Sequence, residues 1–435
     1  MRASEKTWFG QPRGLTILFL TETWEKFSFY GMRALLVYYM TRQLMMEQQH
    51  ASLVYGLYTA FIYLTPVLGG VIADRWLGRR KAVIIGGSIM ALGHFMMAFE
   101  GLFYPALGVI ALGNGLFLPS LPGQIGSLFA ADDPRRGSAY NVYYVGINLG
   151  AFLAPLICGA LGEIYGWHWG FGAAGVGMLV GLCIYLAGQR YLPQETLREA
   201  DRTPTTAASA EQGLKQRFLL LAGVGLAVVV FRIAYEQTGN TLALWINTSV
   251  DRRLAGDWSI PATWFQSLNP MLVFLLTPPL VAFWIRAARR GREPSPLRKM
   301  ASGACVVAIA YLMLAALSVW ADGAGAQVSW MWLALFFFVF TAGELYILPV
   351  GLGLFGRMAP PRMAATLIAA WFSAAFAGNL LAGVAGTAWA RISHGQFFAL
   401  MAGATLVAGG LLLLLDRPMR RLDPSLTQAP AETRP

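Results

Sequence analysis

Twelve stretches of this chain are apolar over lengths that match the thickness of a lipid bilayer. About 20 consecutive apolar residues in a helix cross a hydrocarbon core of about 30 Å. Of the 435 residues, 56% are hydrophobic and 13% are charged, and the mean hydropathy is +0.53. We therefore predict an all-α membrane protein with twelve transmembrane helices, numbered helix 1 to helix 12. They are expected at about 14–40, 52–73, 81–99, 103–130, 138–162, 169–189, 218–245, 262–286, 299–320, 328–355, 363–387 and 396–415.

One long polar segment divides the twelve helices six and six. Residues 190–217 are rich in Thr, Ala, Arg and Glu and are too short for another pair of spanning helices. Two halves around a central cavity are typical of transporters that work by alternating access. We predict an N-terminal half at 1–189, a cytoplasmic linker at 190–217, a C-terminal half at 218–415 and a disordered cytoplasmic tail at 416–435.

The positive charge is distributed asymmetrically across the predicted membrane. The net charge is +11, and most of the 33 Lys and Arg residues lie in the termini and in the connections on the same side. The opposite connections hold only Arg42, Arg252, Arg253 and Arg391. Because loops rich in Lys and Arg stay in the cytoplasm, we predict a multi-pass inner-membrane protein with both termini cytoplasmic. The same distribution argues against a nucleic-acid partner, and we expect a monomer in the lipid bilayer. No cleavable signal peptide is evident.

Helix 1 carries ionisable residues inside its apolar sequence, in the segment ETWEKFSFYGMR. At about 100° per residue, Glu22, Lys26 and Arg33 fall within an arc of about 40°, with Glu25 and Tyr30 to either side. Charged groups at this depth usually face a bundle interior or an aqueous cavity. The alternative is a structural ion pair, since Glu22 and Lys26 are spaced i,i+4, but that leaves Arg33 unexplained.

Histidine and cysteine give no sign of catalytic or metal chemistry. Cys158, Cys183 and Cys305 lie in apolar helices without metal-ligand spacing, so we expect packing residues, no metal and no cofactor. His94 stands alone in helix 3 and is expected to be a hydrogen-bonded core residue. No arrangement suits nucleophilic catalysis, so we do not expect an enzyme.

The connection between helices 2 and 3 reads GVIADRWLGRRKA. It resembles the loop signature of the major facilitator superfamily, in which an acid and several basic residues hold a cytoplasmic gate closed. The matching residues are Asp74, Arg75, Gly78, Arg79 and Arg80. A merely positive-inside loop would explain the arginines but neither Asp74 nor the glycine spacing.

Further motifs resemble the proton-coupled oligopeptide transporter family, in order from helix 1 to helix 11. In addition to the charged segment of helix 1, they are YNVYYVGINLGAFLAP in helix 5, YEQTGNTLALWINTSVDR in helix 7, WFQSLNP in helix 8, GELYILPVGL in helix 10, and the Trp371-Phe372 and Gly378-Asn379-Leu380 segments of helix 11. The resemblance implies the major facilitator fold and uptake of di- and tripeptides driven by protons, the coupling ion. It also implies a role for each residue that matches a family motif.

According to the resemblance, Arg33 binds the peptide carboxylate, Glu344 meets its amino end, and Glu236 belongs to a proton-linked ion pair. Glu22, Glu25 and Lys26 form the signature for proton coupling. The implied pocket lining is Tyr30, Tyr63, Asn148, Asn269 and Trp371. The side-chain chemistry agrees, because a guanidinium grips a carboxylate bidentately and aromatic walls accept varied side chains.

The sequence departs from the family pattern where helix 4 usually carries a lysine, since Leu118 occupies that position. Arg232 stands four residues before Glu236, where the family commonly has tryptophan. We hypothesise that the cation has moved from helix 4 to helix 7, which adds Arg232 to the candidate site. The alternative is that Arg232 snorkels or meets a neighbouring helix and has no part in transport.

Other departures are Lys26 for the signature arginine, Phe29 for a tyrosine and Leu348 for a serine, so the pocket is expected to be more apolar than usual. The linker has no room for the two extra helices of many bacterial members. The function predicted first is proton-coupled symport of small peptides or peptide-like carboxylates. A carrier or exporter of other organic anions or modified peptides is the alternative, and a non-transporting peptide sensor is a third hypothesis.

Overall fold

The structure is a computed structural model that describes residues 7–8, 10–129, 133, 135–192, 214–255, 258–358 and 364–422. Most of the predicted linker, at 193–213, and the end of the predicted tail, at 423–435, lie outside the described residues.

The described residues form twelve membrane helices. Ten helical stretches are long and apolar enough to span a membrane by composition, and the remaining two are the charged helices 1 and 3. The bounds are Arg13–Tyr38, Gln48–Ile72, Arg79–Met96, Phe103–Ser120, Arg135–Ala154 and Trp167–Gly188 for helices 1 to 6. Helices 7 to 12 are Leu214–Tyr235 with Thr241–Ser249, Leu268–Arg289, Pro296–Ala324, Trp330–Leu345 with Leu348–Met358, Ala364–Gly386 and His394–Leu422.

Helices 7 and 10 are discontinuous. A 3-10 turn, Glu236–Gly239, interrupts helix 7, and helix 10 breaks between Leu345 and Leu348, just before Pro349. Backbone that leaves the helical pattern at membrane depth must be buried in protein or line a cavity, because lipid offers no hydrogen bonds. Both breaks therefore mark polar surroundings inside the protein.

Helix 12 continues past its predicted end at residue 415 as far as Leu422. The prediction of disorder from residue 416 is therefore wrong for 416–422. Asp416 Oδ2 lies 2.8 Å from Arg420 Nη2, one helical turn later, and 2.9 Å from Arg298 Nε. These ion pairs extend the helix beyond its apolar sequence.

The few strands are two or three residues long. Val250–Asp251 pairs in parallel with Val328–Ser329, and Arg253–Ala255 pairs antiparallel with Trp258–Ser259. A further antiparallel pair precedes helix 1, formed by Thr7–Trp8 and Gln11–Pro12. They close connections and form no larger sheet.

The chain divides into two compact units. Unit 1 consists of residues 1–47, 57–201 and 252–271, and unit 2 of 48–56, 202–251 and 272–435. The first residues of helix 2 thus belong to unit 2. Conversely, the connection before helix 8 and the first residues of that helix belong to unit 1. Sequence order alone would have assigned both segments the other way.

The burial of two cysteines and the hydrogen bonding of one histidine differ from what the sequence predicted. Cys158 is buried, but Cys183 and Cys305 are exposed, so the packing role predicted for those two is wrong. His94 is completely buried, as expected of a core residue. Neither of its ring nitrogens has a hydrogen-bond partner within the ranges described above, which contradicts the expected bonding.

Candidate transport site

In unit 1, helix 1 holds a lysine between two buried carboxylates. Lys26 Nζ lies 2.7 Å from Glu25 Oε2 and 3.4 Å from Glu22 Oε1. Glu22 and Glu25 are at most 1% exposed, and Lys26 is 9% exposed. A single ammonium is therefore shared by two carboxylates and can balance only one of them. When either acid gains a proton, Lys26 keeps only the other acid as a charged partner.

Helix 5 approaches this cluster through a glycine. An ideal Cβ on Gly150 would lie 2.9 Å from the Phe27 backbone nitrogen and 3.0 Å from Lys26 Cβ. Only a residue without a side chain fits such an approach. Two residues earlier, Asn148 is buried and donates from Nδ2 to the Tyr144 carbonyl at 3.0 Å. The glycine of the helix 5 motif thus lets this helix pack directly against the charged turn.

The other predicted binding residues of unit 1 are half-buried. Arg33 Cζ lies 6.0 Å from the centroid of the Tyr30 ring, within reach of a cation–π contact. Tyr63 in helix 2 and Asn269 in helix 8 are also half-buried. The sequence analysis placed all four in the pocket, and that role stays a prediction.

Side chains of the predicted gating loop form hydrogen bonds to other residues of unit 1. Gly78 has φ 76°, a conformation that favours glycine. Asp74 Oδ1 accepts from Arg79 Nε at 3.3 Å, and Arg80 donates to the Gln189 carbonyl at 3.2 Å. Arg75 is exposed. Asp74, Arg79 and Arg80 therefore fix the loop at the start of helix 3.

In unit 2, the predicted cation and acid of helix 7 form an ion pair. Arg232 Nη1 lies 2.9 Å from Glu236 Oε1, and the two side chains are 6% and 2% exposed. An ideal Cβ on Gly378 in helix 11 would lie 2.6 Å from Arg232 Cβ, so this glycine makes the space that the arginine occupies. Leu118, where the family lysine would stand, contributes no charge.

The acid of helix 10 is held by a tyrosine of helix 7. Tyr235 donates its hydroxyl to Glu344 Oε1 at 2.8 Å and stacks on Phe340, with ring centroids 5.7 Å apart. Glu344 is 8% exposed. Trp371 packs edge-on against Phe355 at 5.3 Å. Glu236 and Glu344 thus each have a named partner, and each lies beside a helix break.

A buried polar network around the helix 7 break was not predicted. Gln237 donates from Nε2 to the Ala382 carbonyl at 2.9 Å, and its Oε1 accepts from Thr241 at 2.9 Å. Ser52 donates to Asn240 Oδ1 at 3.0 Å. These bonds satisfy the buried polar side chains that stand at the helix break. The QTGN sequence contained the signal, since consecutive polar residues interrupt an apolar helix there.

Glu163, in the helical turn Leu161–Tyr165 that follows helix 5, was also missed. Its two carboxylate oxygens accept from the backbone N–H groups of Thr263 at 2.8 Å and Ala262 at 3.1 Å. The same segment donates from Trp264 Nε1 to the Leu156 carbonyl at 3.1 Å and from Ser267 to the Phe152 carbonyl at 2.8 Å. These contacts hold the residues before helix 8 within unit 1. Partners that are backbone groups leave no pattern in a sequence.

No group of three or more His, Cys, Asp or Glu side chains could hold a metal ion among the residues that the structure describes. The ionisable groups instead lie as pairs and triads inside membrane helices.

Twelve helices with buried acids at two helix breaks define an integral membrane transporter with the major facilitator fold. The model of the POT family matches residues 80–218 and 205–401. The chain belongs to this family, which consists of transporters and not of enzymes.

Relatives and solved structures agree over nearly the whole chain. The chain is 33% identical to the peptide transporter YePEPT of Yersinia enterocolitica, over 96% of each chain. It is 30% identical to a di-/tripeptide transporter of Lactococcus lactis, over 97% of this chain and 98% of the relative. A mutant of the peptide transporter POT in complex with sulfate has a TM-score of 0.87 at 27% identity, over 96% and 97% of the two chains. The same transporter was crystallised with alafosfalin, and that structure has a TM-score of 0.85 at 28% identity.

Proposed function

We propose that this protein imports di- and tripeptides, or peptide-like carboxylates, together with protons. The observation that carries the proposal is the lysine held between two buried carboxylates in helix 1, in a chain that belongs to a family of transporters. Two relatives are named as transporters of peptides. Protons serve as the coupling ion, and the transport cycle uses no other cofactor.

The triad of Glu22, Glu25 and Lys26 performs the proton step. A buried charge without a partner costs on the order of 3 kcal/mol at membrane depth. When one of the acids takes a proton, Lys26 keeps a single carboxylate partner and the net charge of the cluster changes by one. This difference biases the equilibrium between conformations, and a ligand shifts such an equilibrium only through its unequal affinity for the two states.

The two ends of the substrate are recognised by opposite charges. Arg33 takes the peptide carboxylate through its planar fork, and Glu344 takes the ammonium group, oriented by the bond from Tyr235. Tyr30, Tyr63, Asn148, Asn269 and Trp371 supply amphipathic walls. The Arg232–Glu236 pair replaces the usual lysine-to-glutamate partnership.

The protein acts as a monomer in the inner membrane with both termini in the cytoplasm, as the distribution of Lys and Arg favours. The gating loop residues Asp74, Arg79 and Arg80 then lie at the cytoplasmic end of unit 1. Leu118 and Leu348 make the pocket more apolar, which favours substrates with apolar side chains. The same apolar pocket also suits modified peptides, the alternative class of substrate.

Purified protein in liposomes tests the proposal. A dipeptide should accumulate under an imposed inward proton gradient, and analogues without the carboxylate should fail to compete because Arg33 has nothing to bind. Glu22→Gln should lose accumulation against a gradient and retain counterflow exchange of labelled dipeptide. Accumulation at the wild-type level in this variant would exclude Glu22 from coupling. Binding without any movement of peptide would instead identify a sensor.

A further inference from the structure

The C-terminal end of helix 12 presents a face that is apolar in its first part and basic in its last. Gly410, Leu413, Leu414, Arg417 and Arg421 lie within an arc of about 100° at 100° per residue. Leu413 is 53% exposed and Leu414 is 74% exposed. An ideal Cβ on Gly410 would meet no atom within 4 Å. This face therefore borders open space.

The face forms one wall of a groove of about 980 Å³, whose other side includes Gln216 near the start of helix 7. Helices 7 and 12 touch farther along, where an ideal Cβ on Gly223 would lie 2.9 Å from Leu415 Cδ1. Seven residues of helix correspond to about 10 Å, so the groove opens about that distance beyond the contact. All of these residues belong to unit 2.

Among the described residues, no acid forms an ion pair with either arginine of the groove. Arg420, on the neighbouring face, pairs with Asp416 at 2.8 Å, and Arg298 pairs with the same carboxylate. Neither Arg417 nor Arg421 forms an ion pair with any residue that the structure describes. The adjacent acid, Asp416, is thus already paired, and within the described part of the chain both guanidinium groups are available to an anion.

We propose that this groove binds an anionic phospholipid, with its phosphate between Arg417 and Arg421 and an acyl chain along Leu413 and Leu414. Guanidinium groups bind phosphate bidentately, and basic pockets between membrane helices on the cytoplasmic side suit anionic headgroups. The distribution of Lys and Arg assigns this end of helix 12 to the cytoplasmic leaflet. An apolar wall beside the charges distinguishes a lipid site from a site for free phosphate. The site is independent of the proposed transport site.

Intact-complex mass spectrometry of the full chain in a neutral detergent tests this assignment. Wild-type protein should retain phosphatidylglycerol in preference to phosphatidylcholine. The double variant R417Q/R421Q should bind phosphatidylglycerol about 30-fold more weakly, at about 1 kcal/mol for each arginine. The matched control R289Q/R290Q removes two exposed arginines at the end of helix 8, outside the groove, and should bind as the wild type does.

A second variant and a soluble probe separate the headgroup from the acyl chain. Gly410→Leu places a side chain into the open part of the groove and should weaken lipid binding several-fold while both arginines remain. Glycerol phosphate, which lacks acyl chains, should not displace the lipid at equal concentration. Equal retention of the two lipids, or undiminished binding by R417Q/R421Q, would overturn the proposal. Binding that appears only after removal of 423–435 would assign the groove to the chain's own C-terminal segment and would equally overturn it.

Discussion

Removal of the Arg232 charge is expected to lower both stability and proton coupling. Arg232 and Glu236 are almost fully buried and 2.9 Å apart. Loss of one partner of such a pair typically costs 3–5 kcal/mol, because the remaining buried charge loses a counter-charge. For Arg232→Gln we therefore expect a fall in Tm on the order of 5 °C or more. The double variant R232Q/E236Q removes both charges and should recover most of this loss.

The comparison of single and double variants distinguishes charge from packing. If Arg232 mattered only by filling the space over Gly378, the single and double variants would be equally unstable. Fluorescence-detected thermal unfolding in detergent gives the stabilities, and a double-mutant cycle gives the coupling energy of the pair.

Liposome uptake measures the functional part of the same prediction. Arg232→Gln and Arg232→Ala should reduce dipeptide uptake and flatten its dependence on external pH. In the wild type, protonation of Glu236 would release Arg232, and neither variant has a cation to release. Uptake and a pH profile at the wild-type level would refute the hypothesis that the cation has moved from helix 4 to helix 7. Arg232 would then be a structural residue only.

Two further predictions concern backbone contacts in unit 1. Gly150→Ala should destabilise the protein by about 1–3 kcal/mol, since the added carbon meets the backbone of helix 1. Gly172→Ala, in helix 6 with nothing within 4 Å, is the matched control and should be close to neutral in thermal unfolding. Glu163→Gln should cost about 1–2 kcal/mol because one acceptor oxygen becomes a donor, and amide hydrogen exchange should accelerate at Ala262 and Thr263. Unchanged exchange at these two amides would show that the carboxylate does not hold the segment.

The number and order of the helices could be predicted because each span must be apolar over about 20 residues. The family could also be predicted, since its motifs combine charged or polar residues with apolar helices in a fixed order. Helix 12 was predicted to end too early, because hydropathy ends at Leu415 while ion pairs of Asp416 continue the helix. Hydropathy identifies the residues that can lie in the membrane, but a helix can continue beyond those residues.

The sequence predicted part of the candidate site and missed the rest for a physical reason. Arg232 and Glu236 lie four residues apart, so their contact follows from the helical repeat alone. The bond from Tyr235 to Glu344 joins residues of different helices, and no local spacing reveals it. The network around Gln237 arises only when the helix breaks. Pairs within one helix are therefore accessible from sequence, whereas pairs between helices require the fold.

The carboxylate of Glu163 binds main-chain N–H groups, and this has an evolutionary consequence. The two bonds do not depend on the chemistry of the side chains at 262 and 263, which are buried and constrained by packing instead, so substitutions at the two ends of this contact need not be correlated across relatives. Proline is the exception, since it has no N–H to donate. A contact of this kind would be invisible to covariation. Its record in an alignment would be the persistence of an acid facing two positions whose side chains follow the packing around them and which exclude proline.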